Sequence, residues 1–197
     1  MQNRPKYYQS SKHQKYVSRA AYKLALACAE LKLDFKNKVV LDIGSSSGGF
    51  SQYALIHGVQ KIIAIEKGTN QMDQLLRLDP RIELHEKTDI LDYTPDEHID
   101  LILIDVSFIS LKEVLPAIKK CLDQDTIILA MAKPQFETND PKAKNKGIIK
   151  NEHIRRHLLS LLELWLKEQF VIIDKVDSQL KGVKGNKERF YLLKGLK

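Results

Sequence analysis

The sequence predicts an α/β fold, a mostly parallel seven-stranded sheet that ends in a C-terminal antiparallel hairpin. Three observations carry that expectation. Apolar runs of strand length alternate with segments of helical periodicity through most of the chain, the pattern of a parallel sheet covered by helices. The run Leu101-Ile102-Leu103-Ile104 is apolar throughout, as a strand buried on both faces requires. The last two apolar runs have no helix between them, so they must pair antiparallel.

Taken in order, residues 1–16 read as a mobile basic N-terminal arm, polar throughout, with Arg4, Lys6, Lys12 and Lys15 beside Tyr7 and Tyr8. Residues 17–197 read as one domain. Ser18 can cap a helix running to about Leu33, in which Leu24, Ala27, Cys28 and Leu31 share a face. A strand follows at 38–43, then a loop of glycines and serines and a helix near 49–57. A strand at 61–66, a helix near 70–77 and a strand at 82–85 come next. Strand 100–105, helix 111–122 and strand 126–132 continue the alternation. Residues Thr138 to Lys146 are polar and Pro/Lys-rich, hence a loop. A long helix covers 151–168, and strands 170–178 and 189–194 flank the basic stretch Lys181 to Lys187.

The composition narrows the function. A chain of 197 residues with 43% hydrophobic residues can bury one core. A net charge of +7 favours a polyanionic partner. Cys28 and Cys121 sit in apolar helical patterns and make neither a disulfide framework nor a zinc site, so buried free thiols in a reducing cytosol are expected. The N-terminus lacks the apolar core of a signal peptide, and no apolar run approaches the ~20 residues that span a bilayer. The expected location is the cytoplasm, with no membrane partner and no metal.

The segment Asp42-Ile43-Gly44-Ser45-Ser46-Ser47-Gly48-Gly49-Phe50 is a nucleotide cradle, because its small residues let backbone come close to a ligand. The dinucleotide pattern G-x-G-x-x-G cannot be laid on it, since three serines follow Gly44. The acid-x-Gly-x-small-x-Gly spacing is that of S-adenosylmethionine sites. That ligand has no phosphate, so the loop packs on its methionine portion and Asp42 can balance cationic charge. Glu66, ending the second strand, is placed for the ribose diol. Asp89, near the end of the third, is placed to accept from the adenine amino group. With Asp105 bordering the crevice, the expected cofactor-binding residues are Asp42, Gly44, Ser45, Ser46, Gly48, Gly49, Phe50, Glu66, Asp89 and Asp105. An open parallel sheet closed by a hairpin is the Rossmann-like methyltransferase arrangement, and it disfavours a nicotinamide oxidoreductase.

The second half of the site lies outside the cradle. Asp105 ends the fourth strand, Lys133 directly follows the fifth, Lys23 sits within the first helix, and Glu188 opens the last strand. Five segments resemble the FtsJ-like ribosomal RNA methyltransferases, in particular the branch called hemolysin A or TlyA. They are Ser18 to Leu24, the cradle, Asp105 to Ser110, Lys133 to Glu137 and Lys184 to Glu188. The resemblance implies a Lys-Asp-Lys-Glu tetrad that methylates ribose 2′-hydroxyls, mapping onto Lys23, Asp105, Lys133 and Glu188. Lys133 is the candidate base and Lys23 the second cation, with Asp105 orienting Lys133 and Glu188 positioning Lys23 or the ribose. TlyA-type proteins carry an N-terminal S4 RNA-binding domain, whereas about 16 residues precede the resemblance here. Contact with ribosomal RNA or a ribosomal subunit then falls to the arm and to Lys142, Lys144, Lys146, Lys181, Lys184 and Lys187. Two other readings stand beside this one. The first is a ribosome-assembly factor that binds cofactor and RNA without turnover. The second is a hemolysin-like cytolysin, for which the sequence offers no pore segment.

Overall fold

The computed structural model describes residues 16–143, 147–182 and 184–195. Residues 1–15 of the expected arm, and Lys144 and Lys146 of the basic loop, lie outside the described residues. The strands are β1 (Val39–Ile43), β2 (Lys61–Glu66), β3 (Ile82–Glu86), β4 (Leu101–Ile104), β5 (Ile127–Ala132), β6 (Phe170–Asp177) and β7 (Arg189–Gly195). They form one seven-stranded sheet in the order β3-β2-β1-β4-β5-β7-β6. The first five are parallel, while β7 runs antiparallel between β5 and β6.

Helices cover both faces: α1 (Arg19–Leu31), α2 (Gly49–Ile56), α3 (Gln74–Arg77), α4 (Leu111–Ala117) and α5 (Glu152–Gln169). Because successive strand side chains point to opposite faces, neighbouring residues enter different cores. Val40, Ile62, Leu103 and Phe190 pack with Leu24 of α1 and Phe50 of α2. Leu41, Ile63, Ile104 and Tyr191 pack with Leu115 of α4 and Leu162 of α5. Both cysteines are buried and free. No helix among the described residues is long and apolar enough to cross a membrane.

Three elements differ from expectation, each for a local reason. Ser18 precedes α1 with extended backbone, but its side chain makes no cap hydrogen bond. Its Oγ is wedged against Gly49 of α2, where a Cβ would lie only 2.1 Å away. The helix expected near 70–77 is the single turn α3, because Asn70 has a positive φ and the Asp73 side chain caps the turn at Leu75 N–H. The helix expected over 111–122 is α4 followed by a 3₁₀ turn at Ile118–Cys121. Pro116 inside α4 has no N–H and crowds the preceding turn, which favours the tighter continuation.

The topology brings the site together at one edge of the sheet. Parallel strands β1, β2, β4 and β5 all end there. Since β7 is antiparallel, its beginning lies there too, with Arg189 opposite Ala132. One more residue along the same register sets Glu188 beside Lys133.

Candidate active site

A cavity of about 610 Å3 opens at this edge, with Gly44, Ser46, Glu66, Asp89, Asp105 and Phe108 in its wall. Gly44 has φ +81°, and a Cβ there would lie 2.8 Å from the Asp105 carbonyl oxygen. The loops after β1 and β4 are therefore in backbone contact, which only glycine allows. Glu66 is already oriented: Oε2 accepts from Ser46 N–H (2.9 Å) and Oε1 from Gly68 N–H (2.7 Å). Asp89 pairs with Lys67 (2.6 Å) and accepts from Leu91 N–H (3.1 Å), which holds its carboxyl below the ordinary value.

Asp42, Ser45, Gly48, Gly49 and Phe50 do not form part of the cavity wall. Phe50 is buried and stacks on Phe190 with ring centroids 6.3 Å apart. Asp42 is fully buried, and Ser51 Oγ–H donates to its Oδ2 at 2.6 Å. Burial pushes the Asp42 carboxyl up to about 7. Its Oδ1, and the buried Ser45 Oγ, have no partner among the described residues. These features fit S-adenosylmethionine. The cavity volume is within the range of small-molecule sites. An oriented acid ends β2 where a ribose diol would need it, and the Asp42 carboxylate would be favoured by a nearby cation.

The four residues expected to carry the chemistry come from α1, the β4 end, the β5 end and the β7 start, and they form two ion pairs. Lys23 Nζ donates to Glu188 Oε1 at 2.9 Å, with both side chains buried. Lys133 Nζ lies 2.6 Å from Asp105 Oδ1 and donates to Ser107 Oγ at 2.8 Å. The pairs sense one another at Asp105. Burial raises its carboxyl above the ordinary value; the Lys133 and Lys23 charges oppose that rise, and the Glu188 charge adds to it. Asp105 and Ser107 also line the cavity, so they join the pairs to that space. Asp105 and Glu188 each fall one residue outside the strands they were expected to end or open.

Glu188 owes its orientation to its neighbours. Lys187 and Arg189 reach the Asp177 carboxylate at 3.1 and 2.6 Å, and Arg155 Nε–H donates to the Lys187 carbonyl at 2.9 Å. Flanking side chains held on one face turn the residue between them to the other. Lys187 is thus ion-paired rather than free for phosphate, whereas Lys181 and Lys184 are exposed.

Several residues without an expected role stand at the same edge. Ser107 holds Lys133. Phe108 is 89% exposed and lies 5.2 Å from the Phe136 ring. Its φ is +68°, an uncommon conformation for an aromatic residue. Glu137 accepts from Ser110 Oγ–H (2.5 Å) and Leu111 N–H (3.0 Å). Periodicity cannot find such residues, because loop contacts have no period.

The sequence matches the FtsJ-like methyltransferase family over residues 16–196. It is 39% identical over 178 residues to the 23S rRNA (cytidine-2′-O)-methyltransferase TlyA of Campylobacter jejuni, covering 89% of this chain and 70% of that protein. It is 36% identical over 183 residues to Hemolysin A of Brachyspira hyodysenteriae, covering 88% and 75%. Among solved structures, a Streptococcus thermophilus protein described as a hemolysin superposes with a TM-score of 0.87 at 31% identity, over 94% of this chain and 69% of that one.

Proposed function

The chain belongs to the FtsJ-like methyltransferase family, and from that premise we propose that it methylates a ribose 2′-hydroxyl of ribosomal RNA, using S-adenosylmethionine. The observation that carries the reading is the double ion pair at the cavity edge, Lys133 with Asp105 and Lys23 with Glu188. A ribose hydroxyl is a weak acid and a weak nucleophile near neutral pH, so a base must take its proton as the new bond forms. The cytidine-2′-O activity in the name of the Campylobacter relative supports ribose rather than base as the acceptor.

The residues divide the work. Glu66 would hold the ribose diol of the cofactor, the Gly44 backbone would border it, and Asp42 would balance its positive charge. When bound, S-adenosylmethionine supplies an electrophilic methyl group. Lys133, in its neutral amine form, would accept the 2′-hydroxyl proton at Nζ and become the ammonium, with Asp105 and Ser107 fixing where that nitrogen sits. Lys23, held by Glu188, brings a second positive charge to the surroundings of Asp105. Phe108 offers an exposed ring face to a base splayed out of the RNA. Alignment of the two substrates supplies much of the remaining acceleration.

Residues 17–197 serve as the methyltransferase domain in this reading, and the basic arm over 1–16 contributes phosphate contacts with Lys142, Lys144, Lys146, Lys181 and Lys184. A ribosomal substrate puts the protein in the cytoplasm. The test is methyl incorporation from labelled cofactor into purified ribosomal subunits, mapped to 2′-O-methyl nucleotides. Lys133→Ala is expected to slow single-turnover transfer about 100-fold or more while cofactor affinity stays unchanged. Cofactor binding by calorimetry with no product on any subunit would favour the assembly-factor reading. Unchanged incorporation by Lys133→Ala would remove Lys133 as the base.

A further inference from the structure

Two loops carry the chemistry at the cavity edge, one from Asp105 to Ser110 after β4 and one from Lys133 to Glu137 after β5. They touch at three successive places. Lys133 Nζ meets Asp105 and Ser107 at 2.6 and 2.8 Å. Phe136 packs on Phe108. Glu137 accepts from Ser110 Oγ–H at 2.5 Å and from Leu111 N–H at 3.0 Å.

The last contact is more than a helix cap. Ser110 and Glu113 already close a capping box on α4, in which Ser110 Oγ accepts from Lys112 N–H at 3.1 Å. Glu137 is a second acid at the same helix end, delivered from another loop. Holding it there has a cost, since burial raises its carboxyl above the ordinary value against the opposing hydrogen bonds from Ser110 and Leu111. Between Lys133 and Glu137 the chain is a tight 3₁₀ turn. Phe136 N–H donates to the Lys133 carbonyl at 2.8 Å and Glu137 N–H to the Pro134 carbonyl at 3.2 Å. A turn this short, stiffened by Pro134, transmits a displacement of one end to the other.

We propose that Glu137 is a positioning residue for methyl transfer: by gripping Ser110 and Leu111 it locks the two loops together and keeps Lys133 Nζ at Asp105 and Ser107. This rests on the assignment of Lys133 as the base. Glu137 touches neither substrate nor cofactor and acts through the turn.

The experiment compares wild type, Glu137→Gln, Ser110→Ala and the double variant in single-turnover methyl transfer to purified ribosomal subunits. Cofactor affinity is measured by calorimetry and Tm by thermal denaturation. Glutamine keeps the size and one acceptor of Glu137 but removes the carboxylate charge, so the charge-assisted bond from the Ser110 hydroxyl is lost. Each single variant is expected to lower the rate about 10- to 100-fold. KM for subunits and cofactor affinity are expected to stay within about twofold. The double variant is expected to be no slower than the slower single one, because both cut the same tie. A purely capping role would lower Tm and leave the rate, taken well below melting, at the wild-type level; that result overturns the proposal. Rate losses that multiply in the double variant overturn it as well. Should Glu137→Gln not fold, Ser110→Ala applies the same rate criterion from the other side of the tie. A wild-type chain that methylates no subunit sinks the proposed function and this inference together, whereas wild-type transfer beside an unaffected Glu137→Gln sinks the inference alone.

Discussion

Asp42 is a carboxyl set in the core with one oxygen satisfied by Ser51 and the other left without a partner among the described residues. Burial moves its pKa from 3.8 to about 7. An unfolded chain releases this proton near pH ~4, so between about pH 4 and 7 the folded state holds a proton that the unfolded state has lost. The contribution of Asp42 to stability is therefore complete below that window and is lost as pH rises through about 7. Asp42→Asn is expected to raise the Tm of the cofactor-free protein above wild type at about pH 8. A cationic cofactor favours the carboxylate, so wild-type affinity by calorimetry is expected to weaken from about pH 8 to 6, with proton uptake by the free protein as the cause. A flat profile in wild type would mean that Asp42 does not sense the cofactor's charge. At this scale sequence spacing pointed to Asp42 and Glu66, and the family resemblance pointed to Lys23 and Glu188. It could not rank them by exposure, and it assigned no role to Phe108, whose open ring face depends on how a loop leaves the sheet.

The elements were readable where one physical signal dominated. Apolar runs located the central strands, because a strand covered on both faces leaves no room for polar residues, and shorter or alternating apolar patterns located the edge strands β3 and β6. Helix lengths depended on weaker and competing signals, as Asp73 capping α3 and Pro116 tightening the end of α4 demonstrate. Ser18 has the chemistry of a cap but serves as packing against Gly49, since the approach of α1 to α2 decides which contact it makes. Gly44 joins two elements, because its backbone lies against the loop after β4. Gly44→Ala is expected to cost about 1–3 kcal/mol in denaturant titration, from the positive φ and the clash with the Asp105 carbonyl together. Since the strain falls on the cavity wall, cofactor affinity is expected to drop with it. Wild-type stability in this variant would show that the two loops can separate freely.

For the molecule taken whole, a net charge of +7 and the exposed Lys181 and Lys184 favour a polyanion. RNA affinity measured by fluorescence anisotropy is expected to fall at least tenfold between about 50 and 200 mM salt, as counterions released from phosphates are regained. An affinity indifferent to salt would exclude backbone contacts as its main source. Local patterning along the chain was enough for the α/β class, the closing hairpin and the candidate cradle, and ordered motifs shared with the family named the four residues that meet as two ion pairs at the cavity edge. How these residues pair depends on the three-dimensional fold. The antiparallel insertion of β7 beside β5 sets Glu188 near Lys133, and the Asp177 cluster then turns Glu188 toward Lys23. It also decided that Glu137 ties one loop to the other. Such contacts join residues distant in the chain, and distance in sequence carries no information about approach in space until the sheet order is set.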